Sequence, residues 1–331
     1  MKNRIKLFTH TDLDGIGCSL LFLKNNKISK EDIEYLDYTN INETITEFIY
    51  SCEYKNYDKI YITDISVDKD IAETIDYINK NESVQFILYD HHKTALPLNE
   101  YNWAKVVVEE DNIKTCGTSL LYHNEFNTIG LEDFVETIRQ WDTWDWSIVK
   151  DGYKANHLST LLIIFKRDKF IELCTSNDYN VDKIINNELS KCLLEIEGRN
   201  KKDYIKRKSQ TGVNMVLSIP INNIKREYNV YLVCADKYIS ELGNTICKKN
   251  PEYDLCIMID LDRRTLSYRS VKEDIDCSEI AKYFNGGGHP RSAGSEFLYV
   301  SKKNLYDTLF NTIMKTHSGN YAILDDYYNI V

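Results

Sequence analysis

Proline and glycine are scarce in this sequence. Four prolines and thirteen glycines stand among 331 residues, whereas tyrosine occurs 24 times. We interpret this as a bias of the whole chain, so scattered tyrosines and lysines are weak evidence for base stacking or phosphate binding. The glycines are stronger evidence, because so few are present.

The sequence also lacks a basic surplus, paired cysteines and long apolar runs. A formal net charge of -10 argues against long duplex nucleic acid as a partner, although it leaves room for a local basic pocket. The nine cysteines include no Cys-x-x-Cys pair and no signal peptide is apparent, which together predict reduced thiols and a cytoplasmic location. No apolar run approaches the length of a membrane span, so no membrane partner is expected.

The first third of the chain alternates short apolar runs with amphipathic stretches. This alternation predicts an α/β fold whose N-terminal sheet is doubly wound and mainly parallel. Residues 116–174 predict helices, and residues 180–209 predict one long, partly exposed helix between two domains. The predicted strands of the first sheet are 5–8, 33–36, 60–63, 84–89 and 106–108, and its helices are 17–23, 41–49 and 69–78.

A second alternation follows and predicts a smaller α/β domain at the C-terminus. Its predicted strands are 213–219, 228–233, 255–259 and 265–269, and its helices are 239–248, 278–284 and a last one near 305–314. The chain is long enough for two domains with cores of their own. We therefore predict an N-terminal domain over 1–178, a helical linker over 179–209 and a C-terminal domain over 210–331.

Acidic and histidine side chains follow the apolar strands of the first domain. The carboxyl ends of strands in an open α/β sheet are where ligands bind, and side chains two apart on a strand share a face. Imidazole and carboxylate groups suit divalent Mn, Fe, Zn or Mg. The candidates are His10, Asp12 and Asp14; Asp64; Asp90, His91 and His92; and Asp142 in a later helical segment.

A single aspartate after a strand is usually a helix cap, and for Asp64 alone that interpretation is preferred. The adjacent histidines His91 and His92 cap nothing, so the segments together favour a metal site. The four candidate aspartates other than Asp90 would bring four negative charges to one cleft. Unpaired carboxylates in such a cleft repel one another, which raises their pKa values. Two divalent cations would balance them, and metals about 4 Å apart are widely used in phosphoryl chemistry.

The segment Gly286-Gly287-Gly288 is the densest use of glycine in the chain. Successive glycines let the backbone approach a phosphate and present its N–H groups as a nest, and His289 and Arg291 could neutralise phosphate oxygens. A flexible turn between helix and strand is the alternative. The scarcity of glycine favours phosphate binding.

These motifs resemble those of a known family. His10-x-Asp12-x-Asp14-Gly15, Asp64, Asp90-His91-His92 and Asp142-Thr143 are similar, in this order, to the four motifs of the DHH phosphoesterase superfamily. The segment Asn285 to Gly294 resembles the glycine-rich motif of the DHH-associated C-terminal domain. The resemblance spans nearly the whole chain and is greatest to the NrnB-like oligoribonuclease branch.

The resemblance implies two divalent metal ions in a cleft between the two domains. Mn²⁺ is the expected metal, and Mg²⁺ is the alternative. In that pattern His10, Asp12 and Asp64 hold one metal, and Asp14, Asp64, His91 and Asp142 hold the other. The catalytic group is then Asp64, Asp90, His91 and His92, in which Asp90 and His92 orient ligands and touch the scissile phosphate. A water between the metals would attack phosphorus.

The resemblance also bears on two further positions. Arg269, at the end of a predicted strand, resembles the family's second phosphate contact beside Gly286, Gly287, Gly288, His289 and Arg291. Asp145 competes with Asp142 for the fourth motif, and the small hydroxyl residue Thr143 favours Asp142.

The expected activity is processive or stepwise hydrolysis of very short RNA oligonucleotides to mononucleotides. Alternatives are hydrolysis of cyclic (di)nucleotides or of 3′-phosphoadenosine 5′-phosphate, and a nucleotide sensor without catalysis. An inorganic pyrophosphatase of the same superfamily is disfavoured, because the C-terminal resemblance is of the nucleotide-handling type. The expected partners are short RNA or small nucleotides, and a homodimer is left open.

Overall fold

Two units make up the chain in the computed structural model, which describes residues 4–127, 130–221 and 224–296. The units are Met1–Ile196 and Glu197–Val331. Their boundary falls within the segment 179–209, for which the sequence predicts a linker, and the domain bounds 1–178 and 210–331 remain predictions. The helix predicted near 305–314 lies outside the described residues.

The first unit contains a five-stranded sheet in which every pair of neighbouring strands is parallel. Its strands are β1 (Ile5–His10), β2 (Ile33–Leu36), β3 (Lys59–Thr63), β4 (Gln85–Asp90) and β5 (Ala104–Val106), in the order β2-β1-β3-β4-β5. A short hairpin, β6 (Glu109–Glu110) and β7 (Ile113–Lys114), follows. The helices are α1 (Leu13–Lys24), α2 (Ile41–Tyr50), α3 (Lys69–Asn81), α4 (Gly117–Leu121), α5 (Glu132–Asp142), α6 (Tyr153–Ser176) and α7 (Val181–Asn186), and α8 (Glu188–Lys208) crosses the boundary.

Apolar side chains alternate between the two faces of this sheet. Leu7 and Tyr61 belong to the core shared with α1, α4, α5 and α6. Phe8 and Ile62, their neighbours along the strands, belong to the core shared with α2 and α3. Because both faces are covered by helices, the strands are apolar on both sides, and the predicted doubly wound parallel sheet is confirmed.

The strand order reverses between β1 and β3, which makes this the switch point of the sheet. Loops leave β1 and β3 in opposite directions here, so a crevice forms at the carboxyl edge. The Thr63 hydroxyl donates to Thr9 Oγ1 at 2.8 Å, and the Thr9 hydroxyl donates to the Gly15 carbonyl at 2.9 Å. These buried bonds fix the two strand ends against each other.

Two helix boundaries differ from those that the sequence predicts. Helix α1 begins at Leu13 instead of residue 17, because the Asp12 carboxylate caps it by accepting the N–H groups of Asp14 and Gly15, both at 3.1 Å. The single helix predicted over 180–209 is wrong. The Asn187 side chain accepts the Ser190 N–H at 2.9 Å, which ends α7 and starts α8 as a separate helix.

The second unit contains a six-stranded mixed sheet. Helix α9 covers one face, where Leu242 packs in the same core as Val233, and α10 covers the other, where Ile280 packs with Val230. Strands β9 and β10 are parallel and the remaining pairs are antiparallel, so the predicted α/β domain is confirmed. Its elements are β8 (Val213–Ile221), β9 (Ile224–Cys234), α9 (Ile239–Lys249), β10 (Leu255–Asp260), β11 (Thr265–Arg269), α10 (Cys277–Tyr283), β12 (Gly287–His289) and β13 (Ser292–Glu296), and the sheet order is β12-β13-β11-β10-β9-β8.

Candidate metal centre

The carboxyl ends of β1, β3 and β4 bring the predicted aspartates and histidines together. The Nδ1 atom of His10 lies 3.0 Å from Asp12 Oδ2 and 3.6 Å from Asp64 Oδ2. One ligand atom from each of these three residues lies within 4.8 Å of the other two. We call this the His10 group.

A second set lies on the other side of Asp64. The Nε2 atom of His91 lies 3.2 Å from Asp64 Oδ1, 3.4 Å from Asp142 Oδ2 and 3.9 Å from Asp14 Oδ2. Ligand atoms of Asp14, His91 and Asp142 again lie within 4.8 Å of one another. We call this the His91 group. The Asp64 carboxylate therefore presents one oxygen to each group.

The buried polar atoms at this point have no hydrogen-bond partner in the described part of the chain. These atoms are His10 Nδ1, His91 Nε2 and both carboxylate oxygens of Asp64. Asp64 is only 1% exposed, and a buried carboxylate without a partner is strongly destabilising. Imidazole nitrogens and carboxylate oxygens directed at one another across such gaps are a suitable donor set for divalent cations.

The electrostatics agree with this donor set. Burial, together with the charges of Asp14 and Asp12, raises the pKa of Asp64 well above its usual range, and the same causes raise the pKa of Asp142. Burial also lowers the pKa of His91, which favours the neutral imidazole that metals bind. At Asp12 the effect of burial is outweighed by the His10 ring, whose Nδ1 atom lies 3.0 Å from the carboxylate, and the pKa of Asp12 falls to about 2.

The N-terminus of α4 holds Asp14 in place. Asp14 accepts the backbone N–H of Gly117 at 2.5 Å and that of Thr118 at 2.8 Å. A Cβ atom at Gly117 would lie 2.6 Å from the Asp64 Cβ and 3.0 Å from Asp14 Oδ2. Only glycine lets the helix approach both carboxylates this closely.

The backbone of Asp64 adopts a left-handed conformation, with φ of 58°. Such a conformation costs a non-glycine residue roughly 1–3 kcal/mol, and it persists only where the surroundings enforce it. The Asp64 N–H donates to the carbonyl of Tyr89 on the neighbouring strand at 2.9 Å. That bond turns the chain at the end of β3 so that the carboxylate lies between the two groups.

Asp90 and His92 form a pair beside the metal ligands. Asp90 is fully buried, and its Oδ1 accepts the N–H of His91 at 2.7 Å and bonds His92 Nδ1 at 2.7 Å. The other ring nitrogen of His92 bonds the Tyr38 hydroxyl at 2.9 Å. The His92 side chain is 33% exposed, so its ring is held in a fixed orientation and remains accessible from solvent.

Asp142 and Asp145 have different surroundings. Asp142, the last residue of α5, belongs to the His91 group. Asp145 accepts a hydrogen bond from Arg139 at 2.7 Å. The structure therefore brings Asp142 to the centre and uses Asp145 in an ion pair.

Sequence reasoning missed Asp37, Tyr38 and Gly117. The Asp37 carboxylate accepts the Thr11 hydroxyl at 2.9 Å and lies 3.8 Å from His10 Nε2, and the Tyr38 ring lies 5.1 Å from the His10 ring. Asp37 and Tyr38 directly follow the predicted strand 33–36, which is the same signal that identified the other segments. Gly117 could have been found as one of few glycines, at the start of a predicted helical region.

Strand pairing holds two of the three glycines in the glycine-rich segment. Gly287 and Gly288 lie in β12, paired with β13, and the Gly286 N–H donates to the Ala281 carbonyl at 2.8 Å. Close packing explains two of the three glycines: a Cβ at Gly286 would lie 2.1 Å from the Gly294 carbonyl oxygen, and one at Gly288 would lie 2.6 Å from the Ala293 Cα. A Cβ at Gly287 would meet nothing within 4 Å, so that backbone is open to approach.

The cationic residues of the second unit differ in exposure. His289 and Arg291 are exposed. Arg269 is half-buried, and its guanidinium donates to the Ser240 hydroxyl at 3.1 Å and to the Tyr268 carbonyl at 2.9 Å. No carboxylate pairs with Arg269 among the residues for which the structure gives positions, and burial lowers the pKa of its guanidinium.

Comparison with known proteins decides the family. The chain is 33% identical over 297 residues to oligoribonuclease NrnB of Bacillus subtilis (strain 168), which covers 87% of this chain and 71% of the relative. The chain belongs to the NrnB-like DHH phosphoesterases. It is a phosphoric-ester hydrolase of the nucleotide phosphodiesterase type.

A solved structure supports the fold of this DHH phosphoesterase. The pGpG-specific phosphodiesterase PggH from Vibrio cholerae aligns with a TM-score of 0.50 and 14% identity, over 94% of this chain and 99% of that protein. No family model matches the sequence. Within the described residues, the helices are too short or too polar to cross a membrane. All nine cysteines carry free thiols.

Proposed function

We propose that this chain is a metal-dependent phosphodiesterase that hydrolyses very short RNA oligonucleotides to mononucleotides. The observation that carries the proposal is the buried carboxylate of Asp64. Its two unpartnered oxygens face His10 on one side and His91 on the other. Such a shared carboxylate between two donor sets is suited to a pair of cations.

In this proposal the His10 group, which includes Asp64, holds one divalent cation. The His91 group with Asp64 holds the other. The donors are oxygen and imidazole nitrogen with no thiolate, which suits Mn²⁺ or Mg²⁺. When bound, such cations supply Lewis-acid polarisation of the phosphate and lower the pKa of a nucleophilic water.

Residues around the donor sets fix their orientation. The N–H groups of Gly117 and Thr118 hold Asp14. The Asp90 carboxylate orients the His92 ring by bonding His92 Nδ1. The Nε2 atom of His92 would donate a hydrogen bond to the scissile phosphate once the phosphate takes the place of the Tyr38 hydroxyl. Without substrate, the Tyr38 hydroxyl restrains the same ring through His92 Nε2.

The charges of the protein favour small substrates. The net charge of -10 provides no broad basic surface for a long nucleic acid. Arg269, a half-buried guanidinium without a carboxylate partner in the described segments, is suited to bind a phosphate group, with Arg291, His289 and the open backbone at Gly287 as further contacts. A few positively charged side chains of this kind are enough to bind a dinucleotide or a slightly longer oligonucleotide.

An Asp64→Asn variant tests the proposal, with Asp70→Asn as the control. Asn preserves the shape of the side chain but removes its charge, and Asp70 is an exposed acid on α3. With Mn²⁺, the wild type and Asp70→Asn should release mononucleotides from a dinucleotide, and Asp64→Asn should lose more than about 100-fold in rate. Full activity in Asp64→Asn would overturn the metal assignment.

The same assay with other substrates tests the substrate class. Cyclic dinucleotide, 3′-phosphoadenosine 5′-phosphate and pyrophosphate are compared with the linear dinucleotide at equal concentration. The proposal predicts the highest kcat/KM for the linear dinucleotide. Preference for any of the other three would contradict it, and tight nucleotide binding without turnover would indicate a sensor.

A further inference from the structure

Three of the four tryptophans of the chain gather at the end of α5. The rings of Trp141 and Trp146 stack with centroids 5.6 Å apart, and the Trp144 ring lies 5.2 Å from Trp146 and 6.3 Å from Trp141. The fourth, Trp103, is buried and stacks on Tyr101 elsewhere in the unit. We call the first three residues the tryptophan cluster.

Trp144 is the exposed member of this cluster, and its conformation is strained. It is 42% exposed, and its backbone is left-handed with φ of 68°. A left-handed non-glycine residue costs roughly 1–3 kcal/mol, and an exposed indole forgoes the stabilisation that burial would give. The left-handed backbone ends α5, where the Trp144 N–H donates to the Trp141 carbonyl at 3.2 Å, and it leaves the indole exposed beside the other two rings.

The loop that carries Trp144 is rigidly held. Arg139 donates to Asp145 Oδ2 at 2.7 Å and to the Lys114 carbonyl at 3.1 Å. The Thr143 hydroxyl donates to the Arg139 carbonyl at 2.8 Å. An aromatic ring on such a loop loses little conformational entropy when a ligand stacks on it.

The position of Trp144 relates it to the metal centre. Asp142 belongs to the His91 group, and Trp144 follows it by two residues. Since consecutive Cα atoms are 3.8 Å apart, the two Cα atoms lie within about 7.6 Å of each other. A nucleotide whose phosphate reached Asp142 would lie beside the segment that carries the Trp144 ring.

We propose that Trp144 is a stacking platform for a nucleobase of the substrate. This inference rests on the proposed function, because it takes the metal centre as the place of the scissile phosphate. Every base has an aromatic face, so stacking tolerates any sequence and contributes about 1–3 kcal/mol per base. The platform would thus let the enzyme recognise a base without selecting which base.

Substitution of Trp144 tests the platform. Trp144→Ala, Trp144→Phe and the control Tyr77→Ala are compared on a dinucleotide and on an abasic dinucleotide with the same backbone; Tyr77 is 66% exposed on α3. Trp144→Ala should raise KM for the dinucleotide about 5- to 150-fold and leave the abasic substrate unchanged. Trp144→Phe should restore most of the affinity, and Tyr77→Ala should match the wild type.

The outcomes separate the two proposals. If the wild type hydrolyses neither substrate, the proposed function fails. If the wild type hydrolyses the dinucleotide, the proposed function stands. The platform is overturned if Trp144→Ala then shows the same preference for the dinucleotide over the abasic substrate as the wild type.

Intrinsic fluorescence gives a test that needs no catalysis. Adenosine, which carries no phosphate, is titrated into the metal-free protein, in which three of the four tryptophans belong to the tryptophan cluster. Saturable quenching is expected in the wild type and in Tyr77→Ala, and it should be lost in Trp144→Ala. Quenching with an unchanged midpoint in Trp144→Ala would contradict the platform.

Discussion

Gly117→Ala should impair the metal centre although Gly117 supplies no ligand side chain. The new Cβ would lie 2.6 Å from the Asp64 Cβ and 3.0 Å from the Asp64 Cα. The first of these contacts must lengthen to at least 3.4 Å, so the N-terminus of α4 and the Asp64 segment must separate by about 0.8 Å. Asp14 must shift as well, because it is bonded to the Gly117 N–H.

Such a displacement should lower both the rate of hydrolysis and the stability of the protein. Misplacing reacting groups by about 1 Å lowers rates by about 100-fold, and overpacking of this kind costs about 1–3 kcal/mol of stability. Alanine is a better helix former than glycine, so helix propensity works against this loss. We therefore expect kcat on a dinucleotide with Mn²⁺ to fall about 100-fold and the melting temperature to fall with it.

Gly198→Ala is the matched control. Gly198 lies in α8, and a Cβ there would meet nothing within 4 Å. This variant should keep its activity and gain about 1 kcal/mol of stability from helix propensity. If Gly117→Ala kept wild-type activity and stability, the close approach of α4 to the carboxylates would be refuted.

Three further predictions concern the same centre. Asp142→Asn should abolish hydrolysis of a dinucleotide, whereas Asp145→Asn should keep activity within a few-fold. Thermal melts should show that Asp145→Asn lowers stability by about 1 kcal/mol, because the charge-assisted bond from Arg139 becomes a neutral one; equal activity losses in the two variants would contradict this division. Free Mn²⁺ at 100 times its Kd should stabilise the metal-free protein by about 2.7 kcal/mol per occupied site in calorimetry, and an unchanged melting temperature would mean that the folded state binds no metal. Tyr38→Phe should lower kcat about 3- to 10-fold by removing the bond to His92, and an unchanged kcat would show that Asp90 alone orients that ring.

Much of the fold follows from local patterns. The bounds of two strands, 33–36 and 265–269, are predicted to the residue, because both are short apolar-rich runs ended by polar residues or turns. The start of α1 was missed because Asp12 acts as its N-cap, and the sequence motif drew attention to the same residue as a metal ligand. The break at Asn187 was missed because the apolar spacing continues through it.

The site was predictable where it follows strand ends. His10, Asp64 and His91 are each placed by the carboxyl end of a parallel strand, and the side chains of such ends converge. Asp142 is different, since it ends a helix and no local rule brings it to the sheet; it was grouped with the others as an acid at a helix boundary, and the resemblance to a family supported that grouping. In the glycine-rich segment, close packing accounts for Gly286 and Gly288, whereas the backbone at Gly287 is open, so phosphate binding there stays a prediction.

The metal centre is also where local preferences are overridden. Asp64 combines a left-handed backbone with a buried, unpartnered carboxylate, and both features are unfavourable for folding alone. Violations of this kind are expected where function determines the residue. They concentrate at the position that both donor sets share.

The proposed function depends on two cations held on either side of the Asp64 carboxylate. Crystals grown with Mn²⁺ and measured at the manganese absorption edge test it most directly. Two anomalous peaks are expected, one among His10, Asp12 and Asp64 and one among Asp14, Asp64, His91 and Asp142. A single peak away from Asp64, or none at saturating Mn²⁺, would contradict it.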